Sequence, residues 1–187
     1  MRTIEINAFQ FEELDSQTQE KVIENNRTIN VDSDFWCQCE LDNYKTELKI
    51  KVNEFDIYRR TINITIEDSF ETAQGIVNFF GKESSIVYSA KTFIRDMIFI
   101  EEKYEHDGKK LEEELEYLEE EFRKEIAEEI LSMLTSQYEY EISDDAIKET
   151  IIANEYEFQE DGEMLLKCCV FVINILYCIK ILDSLIR

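Results

Sequence analysis

Proline is absent from this 187-residue chain, glycine occurs only four times, and there is one histidine and one tryptophan. Without proline and with so little glycine, rigid turns are scarce and no glycine-rich loop can cradle a phosphate. The lone histidine, His106, stands beside Asp107 and Gly108 with no nucleophile near it in sequence. It reads as an exposed loop residue in preference to a general base. Cysteine is also sparse: Cys37, Cys39, Cys168, Cys169 and Cys178 make an odd number without framework spacing, so reduced thiols are the expectation. The Cys37-Gln38-Cys39 triplet lacks the two-residue gap of common zinc knuckles, and no second pair completes a set of four ligands. The opening MRTIEINAFQF holds no apolar signal core. No catalytic residues, metal or cofactor are expected, and the chain reads as a non-enzyme.

Positive charge is scarce as well. Twenty Lys and Arg face 43 Asp and Glu, for a net charge of −23. Residues 101–163 hold 24 acids and 6 bases, so −18 of that total falls in one third of the chain. A field of this sign repels nucleic acid and anionic membrane and attracts basic protein grooves. Direct nucleic-acid binding is therefore not expected.

What is present is a folded chain's share of apolar residues, 44%, with twelve phenylalanines. Ile4 and Ile6 alternate with polar neighbours, predicting a strand over 3–9. Asp15 or Ser16 can cap a following helix, with Gln19 as box partner and Val22 and Ile23 facing inward. A second helix is expected over 33–46, where Asp32 and Asp34 flank the start as capping acids in preference to cation ligands. Leu48, Ile50 and Val52, then Phe55 and Ile57, then Ile62, Ile64 and Ile66 predict an antiparallel pair or meander joined to the first strand. Asp68 or Ser69 opens a helix carrying Phe70, Ala73, Ile76, Val77 and Phe80, which Gly81 can stop in a left-handed conformation.

Beyond residue 90 the pattern is helical. Phe93, Ile94, Met97, Ile98 and Tyr104 share a face, His106-Asp107-Gly108 breaks the run, and Leu111, Leu115, Leu118, Phe122, Ile126 and Ile130 carry a second helix to about Tyr138. The two stripes predict an antiparallel helical hairpin. Ser143 can cap a last short helix with Ile147, Ile151 and Ile152. The fold class is α+β: a small antiparallel sheet with packed helices, then an acidic antiparallel helical hairpin and an apolar C-terminal helix. The expected divisions are 1–90, 91–163 and 164–187.

The segment EEELEYLEEEFRKEIAEEI, residues 112–130, carries ten glutamates against two bases. As a helix it would span roughly 28 Å and bear one net charge per roughly 3.6 Å, close to the spacing of about 3.4 Å along one nucleic-acid strand. Two readings stand. Exposed helix faces are ordinarily charged, and glutamate is a good helix former. Against that, the acids lack matching i,i+4 lysines and repel one another, and the excess continues through Glu139, Asp144, Glu155 and Glu163. A docking face would comprise Glu112, Glu113, Glu116, Glu119, Glu120 and Glu128, standing in for phosphates.

The tail beyond Met164 is strongly apolar. Its uncharged core, 168–179, is twelve residues long, short of the roughly twenty that span a bilayer. A buried or partner-covering helix ranks ahead of a membrane anchor, and a homo-oligomer contact through 164–187 is an alternative expectation.

Three stretches carry a resemblance: Phe11-Glu12-Glu13-Leu14; Gln19-Glu20-Lys21-Val22-Ile23-Glu24-Asn25-Asn26-Arg27; and Ile29-Asn30-Val31-Asp32-Ser33-Asp34-Phe35-Trp36. Together with Phe55-Asp56-Ile57, Glu71-Thr72-Ala73 and the 146–158 region, they resemble a family of small acidic bacteriophage and prophage proteins. That family typically shows Asp-x-Asp-Trp-Trp where this chain has Asp32-Ser33-Asp34-Phe35-Trp36. The resemblance covers about residues 1–163 and lends context without an assigned activity. It implies a phage-borne accessory protein in the cytoplasm of a bacterial host. The expectation is an anti-CRISPR or anti-restriction type of inhibitor whose partner is a basic nucleic-acid-binding defence protein. The alternative is an oligomerising or antitoxin-like protein docking through its apolar tail.

Overall fold

A computed structural model describes residues 7–165. The expected strand over 3–9 and the apolar tail therefore fall largely outside the described residues. The fold is α+β, with helices predominating, among the described residues, over two separate two-stranded antiparallel sheets. The described residues divide into two compact units, 7–36 with 137–165, and 37–136.

In the first unit, β1 (Phe9–Gln10) leads through a short 3-10 turn into α1 (Ser16–Asn25). Asp15 caps α1, its carboxylate accepting from the amides of Gln17 and Thr18 at 2.9 and 3.0 Å. Gln19 does not close a capping box. Its side-chain amide instead donates to the carbonyls of Phe11 and Leu14, fastening the preceding turn to the helix. Later in the chain, α6 (Asp144–Ala153) is capped by Ser143, and β4 (Glu157–Phe158) follows. β4 pairs antiparallel with β1, Phe9 opposite Phe158. The first strand thus joins β4 and not the central hairpin. Phe11, Val22, Ile147, Ile151, Tyr156 and Phe158 close one apolar core around that pairing, and Arg27 ties the end of α1 to Asp144 at the start of α6.

In the second unit, α2 (Gln38–Glu47) is preceded by a 3-10 turn over Asp34–Cys37, so the expected helix over 33–46 is split. β2 (Ile50–Asp56) and β3 (Thr61–Ile66) form the antiparallel hairpin, Ile50 opposite Ile66, with a register shift between Val52 and Glu54. The shift ends the simple alternation read from the sequence. α3 (Ser69–Phe79) begins at an Asp68 cap. Gly81 does not adopt the left-handed conformation expected of it, because Phe80 leaves the helix in extended geometry.

α4 (Ser85–Lys103) starts six residues before the expected Lys91, with Ile86, Val87 and Ala90 already buried in its first turns. α5 (Gly108–Glu141) is the longest element, and residues to Ser136 belong to this unit. Three contacts fix its direction against α4: Ser85 with Glu129, Phe93 with Phe122, and Tyr104 with Glu114. Sequence position rises on one helix as it falls on the other, which is the antiparallel hairpin.

Candidate protein-docking surface

The apolar stripe of α5 is buried unevenly. Phe122, Ile126, Ile130 and Leu134 are sealed in the core, whereas Leu111, Leu115 and Leu118 are half-buried. The helix's N-terminal half, which carries most of its glutamates, is therefore its less covered half.

All six expected docking residues, Glu112, Glu113, Glu116, Glu119, Glu120 and Glu128, are exposed. At about 100° per residue, Glu112, Glu113, Glu116, Glu119 and Glu120 lie on one flank of the apolar stripe. Glu128 comes about 160° round from Glu112, on the opposite flank with Glu114, Glu121 and Glu125. The glutamates thus form two flanks and not one ridge. The nearer flank spans roughly 12 Å of axis, ending where Arg123 and Lys124 appear.

Neutralisation on that flank is local. Arg123 donates to Glu120 at 2.6 Å, Lys124 approaches Glu120 at 3.6 Å and Glu121 at 3.1 Å, and Lys109 reaches Glu113 at 3.8 Å. The Lys124 ammonium is held above its ordinary pKa, chiefly by its hydrogen bond to Glu121. At the hairpin tip, Lys103 and Lys110 lie over the Tyr104 ring at 4.8 and 5.1 Å.

Glu113, Glu116, Glu119 and Glu120, with Tyr117 and Arg123, border a shallow hollow of about 440 Å³. Tyr117 is 66% exposed. An aromatic ring standing among carboxylates can take a guanidinium or ammonium on its face while the acids take the hydrogen bonds. Sequence reasoning passed over Tyr117; its place outside the leucine stripe was the available signal.

A second hollow of about 490 Å³ lies where the start of α3, α4 and α5 meet, and it shares Glu119 and Arg123 with the first. The acidic surface therefore continues off the helix.

His106 is exposed in the turn between α4 and α5. Trp36 is half-buried and meets Tyr138 edge to face at 5.7 Å. Cys37 is buried. Among the described residues, no cluster of three or more His, Cys, Asp or Glu could hold a metal, and no helix is long and apolar enough to cross a membrane.

No family model matches this chain, and neither the curated proteins nor the solved structures yield a match.

Proposed function

We propose that this chain is a non-enzymatic inhibitor of a bacterial defence system, of the anti-CRISPR or anti-restriction type, acting in the cytoplasm of the host cell. Its acidic surface occupies the basic nucleic-acid groove of the effector, with carboxylates in place of phosphates. One observation carries this reading. Glu112, Glu113, Glu116, Glu119 and Glu120 stand open on one flank of α5, and among the described residues the bases near them reach only Glu113 and Glu120 on that flank. The resemblance to small acidic phage proteins agrees with it.

The physical logic is electrostatic. A groove built to neutralise phosphates carries Lys and Arg, and opposed fields accelerate encounter and exclude partners of the wrong sign. Exposed Tyr117 adds a face for the arginines that such grooves contain. The test is competition: purified protein is titrated into nucleic-acid complexes of CRISPR and restriction effectors at low and high salt. Stoichiometric displacement that weakens with salt supports the reading, and no displacement from any effector at low salt contradicts it.

A further inference from the structure

α4 turns one face outward. Tyr88, Lys91, Arg95, Ile98 and Glu102 recur along it at alternating steps of three and four residues, and at about 100° per residue they and Phe99 fall within one sector roughly 100° wide. All six are exposed. Tyr88 is 73% exposed, Phe99 60% and Ile98 47%, although the sequence grouped Ile98 with Phe93 and Met97. Single apolar residues on a surface are ordinary, but three on one face of one helix, set at the spacing of a coiled-coil seam, describe a helix-docking face.

The charge on this helix narrows the partner. α4 holds three acids and three bases, a neutral helix in a chain of net charge −23. Such a face offers a basic groove no net attraction. Two copies of so acidic a chain repel one another, and contact between them is least opposed where the local charge is zero. The charges on the face are also self-complementary. Lys91 and Glu102 stand equally far, roughly 8 Å, on either side of the midpoint between Asp96 and Met97, and Arg95 and Ile98 share that midpoint. A two-fold axis through it, with the helices antiparallel, sets Lys91 of each copy against Glu102 of the other and lays each Arg95 stem on the opposite Ile98. A parallel pairing would oppose Lys91 to Lys91 and Glu102 to Glu102. The two arginines nearest the axis each bring a counter-charge, since the Arg95 guanidinium donates to Asp96 of its own chain at 2.8 Å.

We propose that the outer face of α4 is the contact of a symmetric, antiparallel homodimer of this chain, with Ile98 and Phe99 as its apolar middle and two Lys91–Glu102 pairs fixing its register. It makes no use of the acidic flank of α5 and stands or falls apart from the proposed function. A contact limited to one helix pair lies at or below the roughly 1,200 Å² of total buried area at which stable complexes begin, so the dimer is weak and forms as concentration rises.

Sedimentation velocity of the full chain from about 10 μM to about 1 mM measures it. Wild type is expected to pass from monomer to dimer over that range. Lys91→Glu sets Glu against Glu102 at both ends, and Glu102→Lys sets Lys against Lys91, so each alone is expected to weaken the dimer about tenfold or more. An equimolar mixture of the two single variants restores opposite charges at both ends and is expected to dimerise as wild type does, as is the double variant Lys91→Glu/Glu102→Lys. Phe99→Ser leaves the charges in place and is expected to weaken the dimer to a similar degree as the single reversals. All three positions are exposed, so circular dichroism should show every variant folded. A chain that stays monomeric throughout overturns the proposal, whether the face is then bare, held by residues 166–187 of the same chain or reserved for another protein. So does a dimer indifferent to the single charge reversals, or one whose loss the mixture does not repair.

Discussion

The ring of Phe93 lies on that of Phe122, centroids 4.2 Å apart and planes 21° from parallel. This stack joins the two helices of the hairpin, and both rings are excluded from solvent.

Replacing Phe122 with alanine removes a buried ring and its stacked partner's support. The expected loss is about 3–5 kcal/mol, read as a lower midpoint in urea unfolding. Phe122→Leu is expected to lose less than half of that.

Thr72 is fully buried, and its hydroxyl donates to the Leu48 carbonyl at 2.9 Å, tying α3 to the end of α2. Thr72→Val keeps the shape and deletes the donor, stranding a buried carbonyl. A loss of about 1–3 kcal/mol is expected, and hydrogen exchange should quicken at the start of α3 before the rest of the second unit.

Gly162 has φ +85°, and an added Cβ would come within 3.0 Å of Val22 Cγ2 and 3.1 Å of Thr18 Cγ2. Gly162→Ala is expected to cost about 1–3 kcal/mol through backbone strain and crowding. Thermal unfolding checks it, with Gly81→Ala as comparison, since that position has open space around it.

Burial, followed by the charge of Glu40 and the nearness of Cys37, raises the Tyr44 phenol above its ordinary pKa of 10.0. A raised folded pKa means that the unfolded chain releases this proton first. The contribution is complete below pH 10 and is lost as pH rises above it. Wild type should therefore lose stability above pH 10 faster than Tyr44→Phe, and urea unfolding of both proteins from pH 9 to 11 measures the difference.

Helix starts were the most legible part of the fold. Asp15, Asp68 and Ser143 each accept an amide hydrogen bond from the first turn that follows, because capping chemistry is local and needs only neighbours in sequence. The β2–β3 hairpin was equally readable from its alternation. The β1–β4 pairing was not: Phe9 and Phe158 are brought together by the closure of a core, and two-residue strands carry no period of their own. α4 was read as starting late because Ser84 makes no side-chain capping bond, leaving its first turns without a marker.

The acidic surface was legible in composition and partly in arrangement. Residues 112–130 announced the charge, but one long ridge was the wrong picture for Glu128. Helical rotation carries it to the other flank, while Arg123 and Lys124 end the nearer one. The second hollow had no sequence signature, since the residues that line it, from Ile66 to Arg123, lie up to 57 positions apart.

The most direct test of the account is displacement of nucleic acid from a target effector by wild type and by Glu113→Lys/Glu116→Lys/Glu120→Lys. All three positions are exposed, so circular dichroism and urea midpoints should show the variant folded. Wild type is predicted to displace nucleic acid with an affinity that falls steeply as salt rises, and the variant to lose that activity entirely. A folded triple-lysine protein that inhibits at full strength would contradict electrostatic occupation of the groove.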